Sequence, residues 1–263
     1  MTEIAWRCRA SVAAGLVLST LVLLTPGEAA AAGCAFAAQG EGRVAAVIDG
    51  RTFRLEDGRE IRLAGIEPVS PEKSRGAAAL SAIVGGRDVT LQGEDDTPDR
   101  YGRQAAFVFA AGSQTPAQAE LLRRGEALFA ADVADKDCAG TLAAAEGAAR
   151  EAKSGIWSGP TAIKNAESPG DILAGIGRFT VVEGKVLSVR QAGATTYLNF
   201  GRNWTQDFAA TISRRMMPAF EAAGFGAKSL ENRRIRVRGY VLSRGGPRIE
   251  VLRVGQIEKL GGN

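Results

Sequence analysis

The sequence predicts a mostly β, α+β protein: an OB-type five-stranded barrel with packed helices, followed by a second, smaller OB-like barrel. Short runs that alternate apolar with polar residues recur along the chain, bounded by Gly, Asp and Pro, which is the pattern of half-buried strands between turns. In each half, three such runs precede a helical stretch and two more follow it, the order of a small Greek-key barrel. At 263 residues and 45% apolar content, the chain can bury a core and is long enough for one large domain or two small ones.

Residues 1–32 stand outside this pattern. Arg7 and Arg9 precede a nearly unbroken apolar run over 12–24, and a small-residue tract follows, ending at Ala32. That order of charged, apolar and small residues is a secretory signal, with cleavage expected near Ala32. The apolar run falls short of the ~20 residues that span a bilayer, so no transmembrane anchor is expected and the protein is placed in the periplasm or outside the cell. Removing the signal removes Cys8 and leaves Cys34 and Cys138. An even pair in an exported chain predicts one disulfide.

The remaining chain divides into a barrel domain over 33–160, a linker over 161–177 rich in Ser, Pro and Gly, and a second domain over 178–260. In the first domain, Arg43–Ile48, Arg51–Glu56 and Arg59–Ile66 read as consecutive antiparallel strands, the last two joined at Asp57-Gly58. A helix follows over Pro71–Val84, then strands over Arg87–Leu91 and Gln104–Ala110 around an acidic loop. Two further helices are expected. One starts at Pro116 with Thr115 as its cap, and the other spans Gly140–Lys153. In the second domain the expected strands are Phe179–Arg190, Thr195–Phe200, Thr205–Ile212, Arg234–Leu242 and Arg248–Val254, with a helix over Arg214–Gly224.

Charge separates the two parts. Gly33–Gly175 holds 16 basic and 21 acidic residues, a balance of −5, whereas Ile176–Asn263 holds 15 against 6, a balance of +9. A small domain this basic is the electrostatic footprint of a polyanion partner. Its cations interleave with rings at Tyr197, Arg202 and Trp204, and again at Arg236, Arg238 and Tyr240, an arrangement suited to single-stranded DNA or RNA. Tyr101, Arg202, Trp204, Arg236 and Arg238 are the candidate nucleic-acid contacts. Alternate arginines on a strand also describe its solvated face, and an anionic envelope surface presents the same charge as a nucleic acid.

The chain has no histidine, which excludes His-based acid–base catalysis, Ser-His-Asp triads and imidazole metal sites. Any chemistry falls to carboxylates, arginines, hydroxyls or a hard cation held by oxygen.

Six motifs occur in order: V-I-D-G-R-T (Val47–Thr52), I-R-L-A-G-I-E (Ile61–Glu67), P-E (Pro71, Glu72), D-R-Y-G-R (Asp99–Arg103), A-E-L-L-R-R-G (Ala119–Gly125) and G-I-W-S (Gly155–Ser158). Together they resemble the thermonuclease, or staphylococcal-nuclease-like, family over residues 42–158, and the second domain resembles a C-terminal extension found in some of its bacterial members. The resemblance implies calcium-dependent hydrolysis of DNA or RNA phosphodiesters. It makes Arg62 and Arg103 the phosphate-binding arginines, Glu72 the general base, and Glu67 and Asp49 the candidate calcium ligands. The chemistry is consistent, because guanidinium groups neutralise charge accumulating on a phosphate and calcium acts through oxygen ligands.

Two departures stand out. Where the family reads D-G-D-T with a ligand at the second aspartate, this chain reads D-G-R-T, placing Arg51 in the ligand position. Where the family reads D-x-P-E, this chain reads E-P-V-S-P-E, with two extra residues before Glu72. The expectation is an Arg51 guanidinium paired with Glu67, and with Asp49, in place of calcium. Nuclease activity is then weakened or lost and nucleic-acid binding is left. The alternatives are an active nuclease with a rebuilt metal site and an envelope interaction module with no nucleic-acid role.

Overall fold

The computed structural model describes residues 2, 34, 36–69 and 73–261. The expected signal sequence, apart from Thr2, and Glu72 lie outside the described residues. Residues 31–263 form one compact unit.

The first part runs β1 (Ala37–Asp49), β2 (Thr52–Leu55), β3 (Glu60–Leu63), β4 (Ile66–Pro68), α1 (Lys73–Val84), β5 (Asp88–Gly93), β6 (Arg103–Ala110), α2 (Ala117–Arg123), β7 (Ala127–Phe129) and α3 (Lys136–Glu151). Five of these strands close into a barrel in the order β1-β2-β3-β6-β5, with β3 and β6 parallel and every other pair antiparallel. The 13-residue β1 makes closure possible. Its first half pairs with β5 and its second half with β2. Phe53, Ile61, Leu63, Leu91 and Val108 fill the interior. Helix α1 crosses the turn after β1 at glycine on both sides: a Cβ on Gly76 would lie 2.9 Å from the Gly50 Cα.

The second part runs β8 (Ile163–Asn165), α4 (Pro169–Leu173), β9 (Phe179–Lys185), β10 (Ser188–Ala192), β11 (Thr195–Asn199), β12 (Ala209–Ser213), α5 (Met217–Ala222), β13 (Arg234–Ser243), β14 (Pro247–Val251) and β15 (Ile257–Lys259). These eight strands form one sheet in the order β10-β11-β12-β14-β13-β9-β8, with β15 on β13. The order repeats that of the first barrel. A meander leads to β12, β14 lies parallel to it, and β13 pairs back onto β9. One strand of the first barrel has become two here. The expected strand Phe179–Arg190 breaks at Val186 and Leu187, where Val186 bonds to Arg233 and Asn232 while Leu187 bonds to Asn199. Thus β9 serves β13 and β10 serves β11.

Other boundaries also move. The 161–177 segment, expected as a linker, contains β8, which pairs with β9, and α4, whose Ile172 is fully buried. Thr115 does not cap α2, which starts from Pro116 without a side-chain cap. Helix α3 begins four residues earlier than expected, because the Asp135 carboxylate accepts the Cys138 N–H at 2.8 Å. The expected pair Cys34 and Cys138 is joined by a disulfide that ties the chain preceding β1 to α3.

The two sheets meet across an apolar seam of Leu128, Ala149, Trp157 and Val181. Beside it, Arg238 on β13 reaches Glu146 on α3, with 2.9 Å between Nη1 and Oε2, and also donates to the Phe129 carbonyl at 2.9 Å. Both side chains are at most 5% exposed. Glu146 also accepts the Phe129 N–H at 2.9 Å, so the end of β7 is held from both sides.

Two stability outcomes follow. Replacing Cys34 and Cys138 by Ser should lower unfolding stability by about 4 kcal/mol, because the bond closes a loop of 104 residues. Urea unfolding with and without reductant measures it. Arg238→Met should cost about 3–5 kcal/mol by stranding a buried carboxylate, and adding Glu146→Gln should recover part of that loss.

Candidate functional site

Arg51, Arg62 and Glu67 gather on one side of the first barrel, and Arg103 shares a sheet face with Arg62. Asp49 ends β1 and turns the chain: its carboxylate accepts the Arg51 backbone N–H at 2.9 Å. Its expected pairing with the Arg51 guanidinium is therefore replaced by a bond to the Arg51 backbone. The guanidinium makes a close ion pair with Glu67 on β4, and Arg62 on β3 approaches the same carboxylate at 3.6 Å. Glu67 is 8% exposed, so this carboxylate sits out of water between two cations.

Burial disfavours the charged form of Arg51, but the charge and hydrogen bond of Glu67 outweigh it and hold the guanidinium pKa above its ordinary value. A third group closes on the pair from the second sheet. Tyr240 on β13 has its phenol pKa raised, first by burial and then by the Glu67 charge, with Arg51 opposing. Tyr240 packs edge-on against Phe179, with ring centroids 5.5 Å apart. Arg51, Glu67 and Tyr240 share a 400 Å³ crevice between the two sheets, into which Lys164, Asp171 and Arg178 also project. On the other side of Glu67 lies a 270 Å³ depression lined by Arg62, Ala105, Glu94, Asp95 and Asp132 among others.

Arg103 opens β6. Its backbone N–H donates to Asp99 at 3.1 Å, and its Nε and Nη2 donate to the other oxygen of that carboxylate at 3.0 and 2.7 Å. The register places Arg62 opposite Ala105, so Arg62 and Arg103 project from one face of the sheet. Tyr101 is exposed, with the Arg100 and Arg103 guanidinium carbons 4.8 and 5.0 Å from its ring centre.

A calcium ion does not fit these residues. Arg51 stands in the D-G-R-T turn beside Glu67, and its guanidinium is already paired with that acid. A guanidinium ~4 Å from a divalent ion costs about 8 kcal/mol at an effective dielectric of ~20. That is about the whole binding free energy of a micromolar site. Among the described residues, no three Asp, Glu, His or Cys side chains gather closely enough to hold a metal.

The candidate nucleic-acid residues do not form one surface. Arg238 is buried against Glu146, and Arg236 is bonded to Glu183 at 3.1 Å and to Glu258 at 2.8 Å. Both arginines, expected as nucleic-acid contacts, have their guanidinium groups committed to acids at the seam between the sheets. Burial alone would raise the Glu258 pKa, but the hydrogen bond and charge of Arg236, with Arg150 and Arg238 behind them, bring it below the ordinary value. Arg202 and Trp204 lie apart from these, on the exposed turn between β11 and β12. The place of Tyr240 beside the Arg51–Glu67 pair was not legible in the sequence, where it read as a ring among the arginines of one strand, because it stands 173 positions from Glu67 and no local pattern links them.

Residues 60–159 match the family model described as staphylococcal nuclease homologue. No curated protein matches the chain. The matched span includes Arg62, Glu67, Asp99 and Arg103, and begins after Asp49 and Arg51.

The Asp99 carboxyl is lowered to about 2, chiefly by its hydrogen bond from Arg103. Its folded value lies below the unfolded one. The pair's contribution to stability is therefore complete above about pH 4 and is lost as pH falls through about 2. Between those limits wild type should lose more stability than Asp99→Asn, as read by acid unfolding of the two proteins.

Proposed function

Because residues 60–159 are a staphylococcal-nuclease-like domain, we propose that this protein acts on nucleic acid from the periplasm or cell exterior, with its calcium-dependent phosphodiester hydrolysis silenced. The observation that carries this reading is the Arg51–Glu67 ion pair. A cation occupies the position where the family holds a carboxylate, and the acid left behind is bonded to that cation. The disulfide between Cys34 and Cys138 supports an oxidising compartment. Among the described residues no helix is long and apolar enough to cross a membrane.

What remains is phosphate recognition. Arg62 and Arg103 present permanently charged, planar donors on one sheet face. A phosphate arriving there competes with Glu67 for Arg62 and with Asp99 for Arg103. Binding on this face is accordingly weak, and the Arg51–Glu67 pair offers no means of activating a water.

Cleavage of single- and double-stranded DNA across a calcium titration, with a chelator control, tests the proposal. Wild type should show no calcium-dependent turnover, and titration calorimetry should show no calcium binding that Glu67→Ala removes. Arg51→Asp restores a carboxylate beside Glu67 and should bring calcium binding back. Calcium-dependent cleavage by wild type that is lost in Arg103→Ala would establish the other reading, an active nuclease with a rebuilt metal site.

A further inference from the structure

The second sheet carries a groove that shares no lining residue with either depression around Glu67. Its volume is 690 Å³, and it runs between β10, β11, β12 and the start of β14, under the turn that holds Trp204. Arg190, Arg202 and Arg248 line it together with Tyr197 and Trp204, and among the described residues no carboxylate does.

The groove is built by strand register. Arg190 on β10 stands opposite Tyr197 on β11, and in the next row Asn199 and Ala209 stand opposite each other, followed by Arg248 on β14. These residues occupy the sheet face away from the core, because the intervening Leu198, Ala210 and Ile249 are fully buried. The Arg248 guanidinium lies 5.2 Å from the Tyr197 ring centre, and its Nε is buried with no hydrogen-bond partner.

Trp204 is 72% exposed, on a turn that its own hydrogen bonds make rigid. Asp207 accepts the Asn203 N–H at 2.7 Å, and the Asn203 side chain accepts from the Thr205 N–H and hydroxyl at 3.1 and 2.6 Å. The turn's carboxylate is thus directed to its own backbone, and the indole is held out with no packing partner of its own size.

The surrounding charges favour the same site. Arg234, Arg236 and Arg238 are paired with Glu183, Glu258 and Glu146 at or near the seam. Among the described residues, Arg190, Arg202 and Arg248 have no such partner. Three cations of the second domain's positive balance thus stand together at the groove without an acid to neutralise them.

We infer that this groove binds single-stranded nucleic acid, its bases stacking on Trp204 and Tyr197 and its phosphates meeting Arg190, Arg202 and Arg248. Free π-faces separated by negative charges belong to an unpaired strand, whereas a duplex keeps its bases stacked inside. The inference rests on the nucleic-acid reading given above and assigns it to a site outside the nuclease-like domain.

Fluorescence anisotropy of the full chain with a labelled oligothymidylate of about 12 nucleotides tests it. Trp204→Ala and Arg202→Glu, both on the exposed turn, should each weaken binding about 10-fold, and Trp204→Phe should stay within about 3-fold of wild type. Arg202→Glu should also make the salt dependence of the affinity shallower by about one phosphate contact. The oligonucleotide should quench tryptophan fluorescence. If wild type binds and both turn variants bind equally well, the groove is not the site and the nucleic-acid reading stands without it. If binding responds to Arg202→Glu while Trp204→Ala costs nothing and inorganic polyphosphate competes as well as the oligonucleotide, the groove is a general anion site and the inference fails. If wild type binds neither oligothymidylate nor oligouridylate, the nucleic-acid reading fails with it.

Discussion

A guanidinium and a carboxylate that both leave water stay charged only by satisfying each other and their remaining hydrogen-bonding positions. Arg238 and Glu146 do so between the two sheets, and the geometry around Glu67 depends on them. Glu146 and Arg238 together hold the Phe129 N–H and carbonyl. Phe129 ends β7, and β7 pairs with β4, placing Leu128 opposite Glu67. Two residues beyond Arg238 on the same strand, Tyr240 lines the same crevice as that carboxylate. One buried contact therefore holds both the strand paired with that of Glu67 and the strand that carries Tyr240.

Electrostatics divides the molecule along the same lines. In the first barrel the three arginines of the candidate site each have an acid beside them: Arg51 and Arg62 share Glu67, and Arg103 has Asp99. In the second sheet, acids such as Glu183 and Glu258 bind the arginines of β13. The cations on the opposite edge are left to solvent or to a ligand. A chain with a modest overall balance of +4 thus contains a nearly neutralised site and a strongly basic groove.

Much of the fold was legible because strand alternation and turn residues are local. The order of strands, the placement of most helices and the cysteine pair all follow from such signals, as does the proximity of Arg51 to Glu67. What was not legible depends on tertiary partners. Arg236 and Arg238 read as a solvated, basic strand face, yet their burial is decided by Glu146 and Glu258, which stand elsewhere in the chain. The break at Val186 divides the expected strand between the adjacent β11 and the distant β13, and the pairing with β13 leaves no local mark. The 161–177 stretch has linker composition, but Ile172 is buried by the sheet that it helps to edge. Arg190 and Arg248 were individually unremarkable, and only the register of four strands brings them to one groove with Tyr197.

The buried ion pair also bears on whether the two parts can be taken apart. Glu146 on α3 and Arg238 on β13 stand 92 residues apart, so each loses its partner if the chain is divided between them. The first barrel alone would carry Glu146 and Trp157 on a new surface, open to water where Arg238 and Val181 now cover them. The two parts are separable in topology, but each supplies the other with a surface that water would otherwise occupy.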